Sequence, residues 1–185
     1  MRCVVEVAPL RAAPDDAAEQ VTQALLGEPL RVEERRDGWA RVVTVYDYPG
    51  WVRDEALGEG AGTLPRPVPG FPLEEARAYL GAPYLWGGIT EAGIDCSGLV
   101  HMAYRRLGRL VPRDAWQQEA AGARVGAPEP GDLVFYGDPG SRVDHVAFWL
   151  GGGRILHSTG RDGLGVVEEP EPPELAGRRR SAIRL

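Results

Sequence analysis

Gly93-Ile94-Asp95-Cys96-Ser97-Gly98-Leu99-Val100 puts a cysteine where an amphipathic helix should begin. Asp95 is a good N-cap residue, and Ser97 falls in the first turn behind it. Cys96, Val100, Ala103 and Leu107 recur at helical spacing, so a helix over 96–107 carries them on one face, and Gly108 ends it. That face is expected to pack on a sheet, with the thiol at its buried edge beside the unpaired N–H groups and the positive dipole end. Such a position lowers a thiol pKa, and the thiolate is the nucleophilic form. Taken alone, however, the helix favours a packed and inert cysteine, the commoner state of a free thiol.

Two of the three histidines, His145 and His157, lie downstream of the cysteine and flank Val146-Ala147-Phe148-Trp149-Leu150-Gly151-Gly152-Gly153-Arg154-Ile155-Leu156. This reads as a hairpin with a glycine turn. A three-residue loop would set Leu150 opposite Arg154 and Ala147 opposite His157, making His145 and His157 diagonal neighbours on one face. A two-residue loop without a bulge would put them on opposite faces. In the shared-face register, His145 can act as base to Cys96 and His157 can orient His145. His101 lies on the cysteine helix but off its buried stripe and is read as a surface residue. A Cys-His-His zinc site is a competing reading, weakened by the lack of paired-cysteine spacing. No metal or cofactor is expected.

The 185 residues suffice for one large or two small domains. Hydrophobic residues make up 43% and charged residues 26%, a globular composition. The net charge of -6 argues against a nucleic-acid partner. Arg178-Arg179-Arg180 is the basic cluster, read as a solvated turn. No segment reaches the roughly 18 apolar residues of a membrane span, so no membrane partner is expected. Glu6 interrupts the N-terminal apolar run before it reaches signal-peptide length, and a cytoplasmic location is the expectation. Cys3, in a strand-like run, is read as a buried, inert thiol.

Residues 1–57 read as all-β, with candidate strands at 3–7, 30–33, 39–45 and 51–53 between turn signals such as Arg36-Asp37-Gly38 and Tyr48-Pro49-Gly50. So many short strands imply a small barrel. Residues 58–70, rich in glycine and proline, read as a semi-rigid linker. Residues 71–185 read as α+β: a helix over 73–80, the cysteine helix, then strands at 132–136, 145–150, 154–158, 165–168 and 182–185.

Several segments then fall in the order of a known family. Tyr84-Leu85-Trp86-Gly87-Gly88, Asp95-Cys96-Ser97-Gly98, Pro112-Arg113-Asp114, Pro130-Gly131-Asp132, Asp144-His145-Val146-Ala147 and His157-Ser158 resemble the NlpC-type cell-wall peptidases. Residues 1–57, with Asp37-Gly38-Trp39 and Gly50-Trp51, resemble a bacterial SH3-type domain. The resemblance implies an SH3-like barrel followed by a papain-like α+β domain. It also implies a cysteine peptidase that cleaves the γ-D-glutamyl–L-diamino-acid bond of murein peptides through a thioester, in murein recycling. Cys96 would be the nucleophile, His145 the base, His157 the orienter and Tyr84 an oxyanion donor. The expected partner is a murein peptide, L-Ala-γ-D-Glu-diamino acid. Its free amine would be read by Asp95 and Ser97 and, from the barrel, by Tyr48 and Glu19. Two alternatives stay open: a wall-binding hydrolase acting on intact peptidoglycan, and another thioester amidase or acyltransferase.

Overall fold

The computed structural model describes residues 1–185, which form two compact units, Met1–Arg66 and Pro67–Leu185. The boundary falls inside the expected linker, and each half of that segment is bonded into its own unit. The Thr63 N–H donates to the Gly27 carbonyl and the Val68 N–H to the Arg106 carbonyl, both at 2.9 Å. Segment 58–70 is therefore not a free-standing connector.

The first unit is an antiparallel sheet of β1 (Val7–Arg11), β2 (Gln20–Leu25), β3 (Leu30–Arg36), β4 (Trp39–Thr44) and β5 (Pro49–Arg53), in the order β2-β1-β5-β4-β3. Leu10, Ala24, Leu30, Val42 and Val52 form its core. Asp37 and Gly38, at φ 51° and 79°, close the β3–β4 hairpin as a tight two-residue turn whose twist suits the strands. The expected strand over 3–7 is broken: Arg2–Cys3 pairs with Leu57–Gly58, and β1 starts only at Val7. Strand β2 gives no strand signal in the sequence, because Gln20-Val21-Thr22-Gln23-Ala24-Leu25 lacks a clean polar–apolar alternation. Cys3 is buried as expected, its thiol turned to the Val5 carbonyl at 3.3 Å, and burial raises its pKa.

The second unit contains α1 (Pro72–Arg77), α2 (Cys96–Arg106), α3 (Ala115–Ala121) and α4 (Pro173–Ala176). Besides the short ribbon of Ile89–Thr90 with Gly93–Ile94, its main sheet has β6 (Ala123–Arg124), β7 (Leu133–Tyr136), β8 (His145–Gly151), β9 (Arg154–Thr159), β10 (Gly165–Pro170) and β11 (Arg179–Arg184). They make one antiparallel sheet ordered β6-β11-β7-β8-β9-β10. Phe148 of β8 stacks on Tyr104 of α2 at 6.5 Å, so this face of the sheet packs on the cysteine helix. The other face buries Val134, Tyr136, Ala147, Trp149, Ile155 and Ala182.

Helix α2 is not amphipathic in its packing. Every residue from Cys96 to Arg105 is buried, including His101, which is fully buried rather than on the surface. The connection after α2 covers its polar side. His101 Nδ1 lies 2.8 Å from the Val111 carbonyl, and Gln118 Nε2 donates to the carbonyls of Ser97 and Pro112 at 3.0 and 2.8 Å. Burial first, and then Arg113, push the His101 pKa down to about 3. Helix α3 lies outside the helices expected from the sequence, though Asp114 and Gln117 form a capping box at its start. The arginine cluster is also not a solvated turn: Arg179 opens β11, and Arg178 donates to Asp138 and Asp144 at 2.8 and 2.6 Å.

The β8–β9 hairpin settles the histidine register by a different route from the three-residue loop. Its turn has two residues, Gly152 and Gly153, with Gly151 opposite Arg154 and a bulge between Trp149 and Gly151. Gly151, Gly152 and Gly153 have φ of 84°, 59° and 72°, a run that suits glycine. Before the bulge, Phe148 faces Leu156, which puts Ala147 level with His157. The extra residue keeps both histidines on one face, which a plain two-residue turn would not.

Close backbone packing at the start of α2 makes Gly98 sensitive. A Cβ there would lie 2.3 Å from the Gly88 carbonyl oxygen and 2.9 Å from Asp95 Oδ1. Gly98→Ala should lower the thermal midpoint, at a cost of about 1–3 kcal/mol from forced backbone displacement. Gly126→Ala, where a Cβ would meet nothing within 4 Å, should leave the midpoint unchanged in the same calorimetric scan.

Candidate active site

Asp95 organises the start of α2. It accepts five hydrogen bonds: Gly98 N–H at 2.6 Å and Ser97 Oγ at 3.3 Å, Gly87 N–H at 2.7 Å, and two from Arg113 at 2.9 and 2.7 Å. Both partners of the ion pair are buried. Arg113 also donates to Ser97 Oγ at 2.9 Å and to the Gly88 carbonyl at 3.2 Å. One carboxylate thus ties the glycine loop at 87–88 to the first turn of α2. A carboxylate offers about four lone-pair sites, so protein donors already fill Asp95, and Ser97 Oγ is engaged as well.

Cys96 follows as the first residue of α2 and is itself buried. The first turn leaves its N–H without an intrahelical acceptor. The thiol does not have the lowered pKa expected at a helix start. Burial, joined by the neighbouring Asp95 carboxylate, pushes it up to about 12, and the N–H groups of Val146 and Ser97 pull it down only in part. The Val146 contact shows where the thiol meets β8, at the residue next to His145.

Tyr84 sits on the loop before Asp95, bridged to Ile94. Its phenol is raised first by burial, and further by the negative charge that an ionised Cys96 would carry and by nearby Asp95, so it stays a protonated donor. Position and protonation both fit a donor to an oxyanion at Cys96.

His145 opens β8 and is half-buried, on the sheet face shared with Tyr136 and Ala147. Its Nε2 lies 2.8 Å from Nδ1 of the buried His157, and the two rings meet edge-on at 5.0 Å. Burial, followed by the repulsion that a protonated His157 and Arg178 would exert on a second positive ring, pushes His145 down to about 3, so it is a neutral imidazole across the neutral pH range. His157 Nε2 lies 2.8 Å from Glu169 Oε1, a partner that no sequence motif marks. Cys96 and His145 share no hydrogen bond in this state; catalytic hydrogen bonds are often long without substrate. Tyr48 and Glu19 belong to the first unit. Tyr48 is half-buried, with its N–H on Thr44 Oγ1 at 3.1 Å and its ring 6.4 Å from Tyr46, and Glu19 is exposed beside Ala12.

Comparison with known proteins places this geometry. Residues 81–172 match the NlpC/P60 family, and residues 10–57 match the bacterial dipeptidyl-peptidase Sh3 domain. The structure superposes on the NlpC/p60 domain of the peptidoglycan hydrolase SagA with TM-score 0.52 and 34% identity, over 62% of this chain and 96% of that one. The chain belongs to the NlpC/P60 family. A γ-D-glutamyl-L-lysine dipeptidyl-peptidase of Bacillus subtilis is 40% identical over 90 residues, which are 46% of this chain and 30% of that protein. One of the same name from Bacillus cereus is 33% identical over 124 residues, 64% of this chain and 37% of that protein. The chain thus spans about a third of the length of these two curated relatives. Within the motif Pro112-Arg113-Asp114, the arginine is the counter-ion of Asp95, a role that its place in the sequence does not reveal.

The raised thiol pKa has a direct consequence. A group whose pKa is raised is deprotonated later as pH rises, so near pH 7 the Cys96 thiol is neutral, as is the His145 imidazole. The alkylation rate of Cys96 by iodoacetamide, followed against pH, should inflect above the ordinary thiol value of about 8.5. A plateau already reached at pH 5–6 would mean a resting thiolate and contradict the raised value.

Proposed function

We propose that this protein is a cysteine peptidase hydrolysing the γ-D-glutamyl–L-diamino-acid bond of peptidoglycan stem peptides that carry a free N-terminal L-alanine, in murein recycling. The observation that carries the proposal is the placement of a cysteine at the start of α2 against the strand whose first residues are His145 and Val146, with His157 bonded behind His145. Family membership and the names of the two Bacillus relatives support the bond class. The word dipeptidyl in those names supports the free-amine preference, because an activity that releases a dipeptide measures from an amino terminus.

In this reading the Cys96 thiol gives its proton to His145 as the sulfur bonds to the γ-glutamyl carbonyl carbon. The oxyanion is met by the Tyr84 hydroxyl and the Cys96 N–H. Collapse breaks the C–N bond, and His145 returns the proton to the departing amine. Water then attacks the thioester with His145 as base, which frees the γ-carboxylate and restores the thiol. Asp95 holds the loop and the helix together through its bonds to Gly87, Gly98 and Arg113.

The test is incubation with L-Ala-γ-D-Glu-diaminopimelate and with its N-acetylated copy, with products separated by chromatography. Cleavage of the free-amine peptide, little of the acetylated one and none by Cys96→Ala is the expected result. Equal cleavage of the two would remove the amine preference, and tight binding to intact wall without turnover would favour the wall-binding reading. With the free-amine peptide, Tyr84→Phe should lower kcat by about 10²–10³-fold, the scale of one lost oxyanion donor, with KM little changed.

A further inference from the structure

His145, His157 and Glu169 lie on three neighbouring strands and step diagonally across one face of the sheet. Ala147 is level with His157 across β8 and β9, and His157 faces Val167 across β9 and β10. His145 is thus offset by two residues on one side of His157 and Glu169 by two on the other, which keeps all three side chains on the same face. Each step is a 2.8 Å contact: His145 Nε2 to His157 Nδ1, and His157 Nε2 to Glu169 Oε1. His157 is 1% exposed, so neither of its nitrogens has water as a ready alternative.

This geometry fixes protons as well as positions. An ionised carboxylate only accepts, so the proton facing Glu169 is on His157 Nε2. A neutral His157 then has a lone pair on Nδ1, so His145 must donate from Nε2. The lone pair of His145 is left on Nδ1, the nitrogen not committed to His157. We infer that Glu169 is a positioning residue that sets the tautomer of His145 through His157, so that the lone pair of the base is on Nδ1. The inference rests on His145 being the base of the proposed peptidase.

Two further observations support it. Arg161 holds Glu169 from the far side, with Nη2 at 2.6 and 2.5 Å from the two carboxylate oxygens and Nη1 at 3.2 Å from Glu174 of α4. Burial pulls the Glu169 carboxyl upward, but the bonds from His157 and Arg161 outweigh it and hold it below its usual range. Burial likewise lowers His157 despite the pull of Glu169, which keeps its ring neutral.

The test reads the tautomer directly, without turnover. In ¹⁵N-histidine-labelled protein near pH 7, His145 should carry its proton on Nε2, with Nδ1 showing the shift of an unprotonated ring nitrogen. Glu169→Ala should convert this into a mixture of tautomers and lower kcat by about 10- to 100-fold at little changed KM, the scale of losing an outer partner that orients a histidine. Glu169→Gln keeps an acceptor oxygen and should restore most of the Nε2–H form and more of kcat than alanine does. A wild-type His145 protonated on Nδ1, or a Glu169→Ala protein that folds with unchanged tautomer and kcat, would overturn the inference. If Glu169→Ala does not fold, the wild-type spectrum and Glu169→Gln still decide it. Failure of the peptidase reading would appear as absent turnover with the tautomer intact, a separate outcome.

Discussion

The buried ion pair between Asp95 and Arg113 is the constraint on which the site depends. Asp95 bonds Gly87 in the loop, Gly98 in the helix, and the guanidinium of Arg113. Tyr84 lies on that loop and Cys96 follows Asp95 directly, so the proposed oxyanion donor and the proposed nucleophile share one anchor. Removing one partner of a buried pair leaves an uncompensated charge and typically costs about 3–5 kcal/mol. Fully bonded as it is, the pair suits a site that needs a fixed geometry, because each hydrogen bond also fixes a backbone segment.

The electrostatics follow from how deeply this anchor sits. The same burial that shields Asp95 and Arg113 encloses Cys96, and desolvation of the thiolate outweighs the favourable N–H groups around it. Burial also keeps His145 and His157 neutral. The resting site is therefore uncharged at the thiol and the two imidazoles; in the proposed reaction, charge develops where Tyr84 and the Cys96 N–H can meet it. Glu169, fixed by Arg161, is the nearest permanent charge behind the histidines.

Much of this was legible in the chain, for identifiable reasons. The cysteine helix has a strong cap and regular spacing, and its span, expected over 96–107, is Cys96–Arg106. The shared face of His145 and His157 was expected, though through a three-residue loop; the strand carries a bulge and a two-residue turn instead. A bulge is set by backbone conformation at glycines, and three consecutive glycines do not say which residues bulge and which turn. The surface reading of His101 failed because helical periodicity describes one helix, while the segment 111–118 buries its other side. Helix α3 was marked by Asp114 and Gln117 but is too short for a periodic signal. Glu169 was hidden because its role follows from strand order and register, which place β10 beside β9.

The central claim is that Cys96 carries the acyl group. The most direct measurement is acid quenching of the wild-type protein within the first turnover of the free-amine peptide, followed by digestion and mass mapping. The account predicts an L-Ala-γ-D-Glu acyl group on the fragment containing Cys96. Product formed in that first turnover with the acyl group on another side chain, or with no acyl group on the protein, would contradict it.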